Sequence, residues 1–230
     1  MKILDFFDSG VKRNVTVIPN GIDLNRCSPI ESRENMRAKW GCSERDVIIG
    51  CIGRIDPIKN LMSLERVVNG IDAIRKVVVY GSCTPKVDEG KAIKSDLQKS
   101  LGNRIQFFDP TQDVGSVLNA IDVFFSPSYS EAMSLSTLEA WGAGVPVVST
   151  LTGVIPELQE KYGKLVISFH PEANGRTIGA AIREAIAGQE RDRILDRARD
   201  LVATKYNVLT MAREWTNLIL KAANKSPRTT

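Results

Sequence analysis

Asp46-Val-Ile-Ile-Gly-Cys-Ile-Gly53 is an apolar run of strand length in which hydrophobic residues follow one another without alternation. A strand with one face in water alternates apolar and polar residues, whereas one covered on both faces does not. The run therefore predicts a central strand of a parallel sheet. The residues after it repeat the theme: a helix over 60–68, a strand over 76–80, a helix over 87–101, a strand over 104–108, a helix over 113–121 and a strand over 122–126. Beyond these come an apolar strand Val145–Ser149, a short helix near 155–161, a strand over 164–168, and helices over 174–187 and 191–205. Upstream, Val15–Ile18 reads as a brief β-branched strand closed by Pro19-Asn20-Gly21, where Asn-Gly readily takes positive φ, and Ser32–Trp40 reads as a helix ended by Gly41. Strands alternating with helices predict an α/β fold: a single Rossmann-like domain whose parallel sheet is wound by right-handed crossovers.

Composition narrows the function classes. Of 230 residues, 43% are hydrophobic and 25% charged, as in an ordinary globular chain, and the net charge of +4 comes from interleaved acids and bases rather than a basic cluster. Nucleic-acid binding is not expected. The cysteines Cys27, Cys42, Cys51 and Cys83 are widely spaced and His170 is the only histidine, so no zinc pattern forms and no metal is expected. The chain lacks Gly-x-Gly-x-x-Gly and the Walker A sequence, which speaks against nicotinamide and P-loop nucleotides. Its apolar runs are shorter than a membrane span and Met1–Asp5 lacks a signal peptide's hydrophobic core. A cytoplasmic location follows as an expectation, with peripheral contact at the inner face of a membrane allowed.

Two places can carry chemistry. Arg54 leaves the buried strand and Lys59 follows at the mouth of the next helix, so both cations can face the crevice at the strands' carboxyl ends and hold a diphosphate. Alternatively, Arg54 pairs with Asp56 and Lys59 is solvated. Further on, Ser126–Thr150 places Glu131 and Glu139 with seven residues between them. Met133, Ser134 and Leu135 would form the first exposed turn of a helix, whose free N–H groups favour an anion. Glu131 would then face sugar hydroxyls or developing positive charge, and Glu139 could take both hydroxyls of a ribose. The competing readings are a solvated loop acid for Glu131 and, for Glu139, a capping box Ser136-Thr-Leu-Glu139.

Pro19-Asn20-Gly21-Ile22-Asp23, Gly53-Arg54 with Lys59-Asn60, Glu131 with seven residues to Glu139, and Gly144-Val-Pro-Val-Val148 occur in that order. Together they resemble the C-terminal, donor-binding half of a GT-B retaining glycosyltransferase of the family-four, glycogen-synthase-like type. The resemblance implies that Arg54 and Lys59 grip the donor diphosphate, Glu131 contacts the transferred sugar, the backbone of Met133, Ser134 and Leu135 faces the phosphate, and Glu139 binds the ribose. Gly53, beside Arg54 in the motif, and Phe108, near the nucleobase pocket, complete the implied binding set, with Glu131, Arg54 and Lys59 the catalytic group. The implied reaction moves a sugar from a nucleotide-diphosphate sugar such as a UDP- or GDP-sugar, with retention, without metal or other cofactor. Three positions depart from the pattern: Glu131-Ala132-Met133-Ser134 stands for Glu-Gly-Phe-Gly, Gly81-Ser82-Cys83 for Gly-x-Gly, and a glycine is replaced around Phe108-Asp109-Pro110. The last two leave the nucleobase open.

A GT-B enzyme has two such domains. The resemblance implies an acceptor-binding domain outside these residues, in the same polypeptide or a partner chain, holding a carbohydrate or lipid acceptor. Residues 1–13 resemble the last helix or linker of that domain, 14–206 the nucleotide-sugar-binding domain, and 207–223 the amphipathic helix that crosses back, with Leu209, Ala212, Trp215, Leu218 and Ile219 near one face. The polar tail 224–230 is expected to be disordered. Two alternatives keep the fold: a non-catalytic nucleotide-sugar-binding or regulatory subunit, and another GT-B activity such as a nucleotide-sugar epimerase or a phosphorylase.

Overall fold

The computed structural model describes residues 15–71, 73–84 and 88–223; the readings made for 1–13 and 224–230 lie outside these. Six strands, β1 (Val47–Ile52), β2 (Ile74–Tyr80), β3 (Ile105–Phe108), β4 (Val123–Ser126), β5 (Val147–Ser149) and β6 (Ile167–Ser168), form one sheet. They lie in the order β3-β2-β1-β4-β5-β6, and every pairing is parallel. The run quoted at the start is thus a central strand. Its Ile48, Ile49 and Cys51 are buried on alternate faces, as the absence of alternation required.

Helices cover both faces. Against one pack α1 (Arg33–Lys39), α4 (Val114–Ala120), α5 (Leu135–Ala143), α6 (Ile155–Tyr162) and part of α8 (Arg191–Lys205), around Trp40, Ile48, Phe124 and Trp141. Against the other pack α2 (Ser63–Gly70), α3 (Asp88–Leu101) and α7 (Gly175–Ala187), around Ile49, Leu64, Phe125 and Ile178. At the amino edge of the sheet the fully buried Arg37 donates to both oxygens of Asp122, each at 2.8 Å, and to the carbonyls of Ser43, Asp46 and Ala120. A buried guanidinium needs this complete set of acceptors, and meeting it ties α1 to the starts of β1 and β4.

Four expectations are corrected. Val15–Ile18 is irregular, because β-branched residues form a strand only where an edge is available to pair with, and Val17 is exposed. Gly21 is required by close approach rather than by positive φ. A Cβ there would lie 2.3 Å from the carbonyl oxygen of Asn207, where Ile22 bridges to Asn207 through bonds of 2.8 Å to Tyr206 and Val208. The helix read from Asn60 begins at Ser63. Asp56 instead caps a one-turn 3-10 segment, Pro57–Lys59, and Asn60 closes it at φ 50°. Pro at the first turn and Asn in the left-handed region suit those two positions. β6 is also shorter than read, since the amides of Leu165 and Val166 donate to the Gln159 side chain at 3.0 and 3.1 Å.

The last helix, α9 (Val208–Ala223), has no buried residue. Leu209, Trp215, Ile219 and Leu220 are exposed, and its amino end is fastened by the Gly21 amide, which donates to Met211 Sδ at 3.3 Å.

Candidate functional site

The chain winds outward from β1 to β2 and β3, then returns to lay β4 on the other side of β1. At that reversal the crossovers leave in opposite directions, and a crevice stays open beyond the carboxyl ends of β1 and β4. Both sequence-predicted regions lie there: Gly53 and Arg54 follow β1, and Ser126–Glu131 leads from β4 toward α5.

Gly53 sits at φ 149°, a conformation that favours glycine, and its amide donates to Tyr80 O at 3.0 Å. Lys59 passes over it, with Nζ 3.8 Å from where a Gly53 Cβ would be. The ammonium ends on Glu131 Oε1, and the two side chains are 21% and 17% exposed. The same oxygen accepts the Ser128 hydroxyl at 2.9 Å. Lys59 is thus neither solvated nor at a helix mouth, and Glu131 is not a solvated loop acid. Arg54 does pair with Asp56, at 3.4 Å, but stays 64% exposed, so this pairing holds it loosely.

The loop carrying Glu131 is secured from both sides. On the β1 side, Asn60 Nδ2 donates to Pro127 O at 3.2 Å and Tyr129 N to Ile58 O at 2.8 Å. On the β5 side, Thr150 Oγ1 donates to Ser128 O at 2.5 Å and Val154 N to Ala132 O at 3.1 Å. Gly153, at φ 59°, lets that second loop close in, because a Cβ there would lie 2.3 Å from Ala132 O. Sequence reasoning missed Ser128, Thr150 and Gly153. A glycine just past β5, at the same sheet edge as Arg54 and Glu131, was the available signal.

Ser134 is the N-cap of α5, its Oγ accepting from Thr137 N at 3.2 Å. The cap leaves the Leu135 and Ser136 amides without a helical carbonyl, as any helix start does. It also removes the capping-box reading, since Glu139 lies in the second turn rather than the first. Glu139 is 12% exposed, and Arg26 NH1 approaches to 3.9 Å. Burial pushes its carboxyl above the usual glutamate range, partly offset by Arg26. Neighbouring Cys27 is pushed up to about 11 by burial and then by the charge of Glu139.

Gly53, Arg54, Lys59, Ser134 and Ser136 line one narrow, open crevice. An adjoining apolar one runs behind Glu131 and Met133, and the two share Ser126 and Ser134. Met133 packs against the core while Leu135 points outward. Phe108, on β3, is separated from the Glu131 loop after β4 by two intervening strands, and stacks on Tyr80 with ring centroids 4.6 Å apart. Among the described residues no three His, Cys, Asp or Glu side chains gather as metal ligands would.

A sheet wound 3-2-1-4-5-6, with a cation-lined crevice facing a helix start, is a Rossmann-like arrangement of the kind from which each half of a GT-B glycosyltransferase is built. Residues 46–187 match the family model described as "Glycosyl transferases group 1", and the chain belongs to that family. It is 29% identical over 183 residues to the D-inositol 3-phosphate glycosyltransferase of Mycobacteroides abscessus, covering 77% of this chain and 41% of that protein. The chain thus spans about two-fifths of that curated relative's length. Sucrose-phosphate synthase from Thermosynechococcus elongatus superposes with a TM-score of 0.77 at 23% identity, over 92% of this chain and 53% of that one. Anabaena HepE in complex with UDP-glucose gives 0.78 at 21%, over 90% and 57%. The C-terminal domain of a group 1 glycosyl transferase from Francisella tularensis gives 0.64 at 23%, over 82% of this chain and all 100% of that one.

Proposed function

We propose that this chain is the donor-binding part of a retaining glycosyltransferase that takes its sugar from a nucleotide-diphosphate sugar. The observation that supports this most is the meeting of Arg54, Lys59 and the α5 start around one crevice, with Glu131 bonded to Lys59 and lining the adjoining one. Two cations and a helix's positive end stabilise a departing diphosphate, which is where charge develops when the sugar leaves. In the proposed step the bond from the anomeric carbon to the diphosphate oxygen breaks and one to the acceptor oxygen forms on the same face. The acceptor's proton passes to the leaving diphosphate.

Glu131 faces the sugar, where a carboxylate offsets positive charge on the ring. Glu139 accepts the ribose hydroxyls, exchanging its weak contact with Arg26 for them, and Gly53 with the amides of Ser134 to Leu135 lets phosphate oxygens approach backbone. The Tyr80–Phe108 stack is proposed as the edge of the nucleobase site. No metal or other cofactor is assigned a role. HepE's complex with UDP-glucose makes a uridine donor the first to try. The acceptor, a carbohydrate or lipid, is proposed to be held by a second domain or partner chain, facing α9 and the crevice. The same reading puts the protein in the cytoplasm, where its four free cysteines stay reduced, in peripheral contact with a membrane if the acceptor is a lipid. Among the described residues no helix is long and apolar enough to cross a membrane.

Calorimetric titration with UDP, UDP-glucose and the GDP counterparts tests this. Saturable binding is expected, weakened by about 10-fold or more in Arg54→Ala and in Lys59→Ala, the scale of one charge-assisted bond. If no nucleoside diphosphate bound at millimolar concentration, the donor reading would fail.

A further inference from the structure

In the crevice the ammonium of Lys59 is already engaged. It donates to Glu131 Oε1, and a diphosphate entering beside Ser134 and Ser136 would draw it away. The two partners of Glu131 differ in kind. Lys59 is a compact charge on a flexible four-carbon stem, able to turn toward a second anion. Ser128 is 1% exposed and its hydroxyl reaches Glu131 from a loop tied down on both sides, through Thr150 Oγ1 at 2.5 Å and Asn60 Nδ2 at 3.2 Å. One partner can leave; the other is fixed.

We infer that Glu131 exchanges partners when a nucleoside diphosphate binds: Lys59 passes from the carboxylate to the phosphates, and Ser128 is the positioning residue that keeps the released carboxylate aimed at the sugar. The inference rests on the donor reading and adds an order of events to it. In the resting site Glu131 acts as a stand-in for phosphate, so part of the attraction between Lys59 and the incoming diphosphate is consumed in breaking an existing ion pair. When the pair opens, the carboxylate regains the free lone pairs it needs for sugar hydroxyls or for charge on the ring. Phosphate arrival and carboxylate release are then one event, and Glu131 is bare only when a donor is present.

A counter-intuitive result follows. Glu131→Gln keeps the shape of the side chain and its bond from Ser128 but frees Lys59. It is expected to bind UDP about two- to fivefold more tightly than the unaltered chain, the range for a partly exposed ion pair. In the Lys59→Met background the same substitution is expected to bring no gain. Ser128→Ala is expected to hold UDP within about twofold of the unaltered chain while losing the extra affinity for UDP-glucose over UDP, and Ser128→Thr to retain that extra affinity.

Calorimetry of UDP and UDP-glucose on these variants, with thermal unfolding alongside to check folding, decides it. Equal or weaker UDP binding by Glu131→Gln overturns the exchange. A gain that persists without Lys59 assigns the effect to through-space repulsion and also overturns it. If Ser128→Ala weakens both ligands equally and lowers the thermal midpoint, Ser128 is a structural residue and its positioning role is overturned. Absence of UDP binding throughout removes the donor reading as well, whereas UDP binding unchanged by Glu131→Gln removes the exchange alone.

Discussion

Glu139 occupies a position where stability and binding pull in opposite directions. Burial holds its carboxyl above the ordinary value of 4.5, so the folded chain keeps the proton to a higher pH than the unfolded chain does. A group raised in this way costs nothing below its unfolded value, and its penalty grows as pH rises through the folded value. Glu139→Gln should therefore unfold at the same temperature as the unaltered chain at pH 4, and about 1–3 °C higher at pH 7. On the proposed reading the same substitution weakens UDP while leaving pyrophosphate, which has no ribose, unaffected. Thermal scans at the two pH values and paired titrations check both halves. That Glu131, Arg54 and Lys59 come to one end of the sheet was legible in the sequence because each belongs to a spaced motif. Ser128 and Gly153 were not, because their roles come from groups distant in sequence: Ser128 O accepts from Thr150, and Gly153 abuts Ala132.

Helix α9 shows how far an element's sequence pattern carries. Its apolar periodicity was legible, yet periodicity says only that a face exists, not what covers it. In the structure Leu209 and Ile219 of that face are 79% and 61% exposed. Leu209→Glu and Ile219→Glu should each shift the unfolding temperature of this chain by less than about 2 °C, since surface substitutions away from the core do little. A larger fall in a thermal scan would mean that the face packs on the domain. From β1 onward the element order was read correctly, while the strand read at Val15–Ile18 is irregular and ends moved where a side chain captured the backbone. Gln159 took the amides expected in β6, and Asp56, by capping the 3-10 segment Pro57–Lys59, set a separate turn ahead of α2, which starts at Ser63. Such captures depend on partners that local spacing does not announce.

For the molecule as a whole, one unbroken apolar run placed β1 in the middle, and the alternation of strands and helices supplied the rest of the sheet. The order of strands was not written in any single segment. It follows from right-handed crossovers and from a reversal whose position only the assembled sheet reveals. That reversal is what turns two weak motifs, some seventy residues apart in Lys59 and Glu131, into one bonded pair. The bridge between Ile22 and Asn207 has a different consequence. The polypeptide passes into and out of the sheet domain at a single doorway, with its incoming and outgoing segments hydrogen-bonded side by side. Such a domain is a cassette. A circular permutant that joins Asn207 to Ile22 through a short flexible linker and opens new termini at exposed Gln189 should fold with one thermal transition and bind UDP as the parent chain does. Seen this way, the grip of Gly21 on Asn207 makes the domain portable, able to sit inside a longer chain without its neighbours having to reach around it.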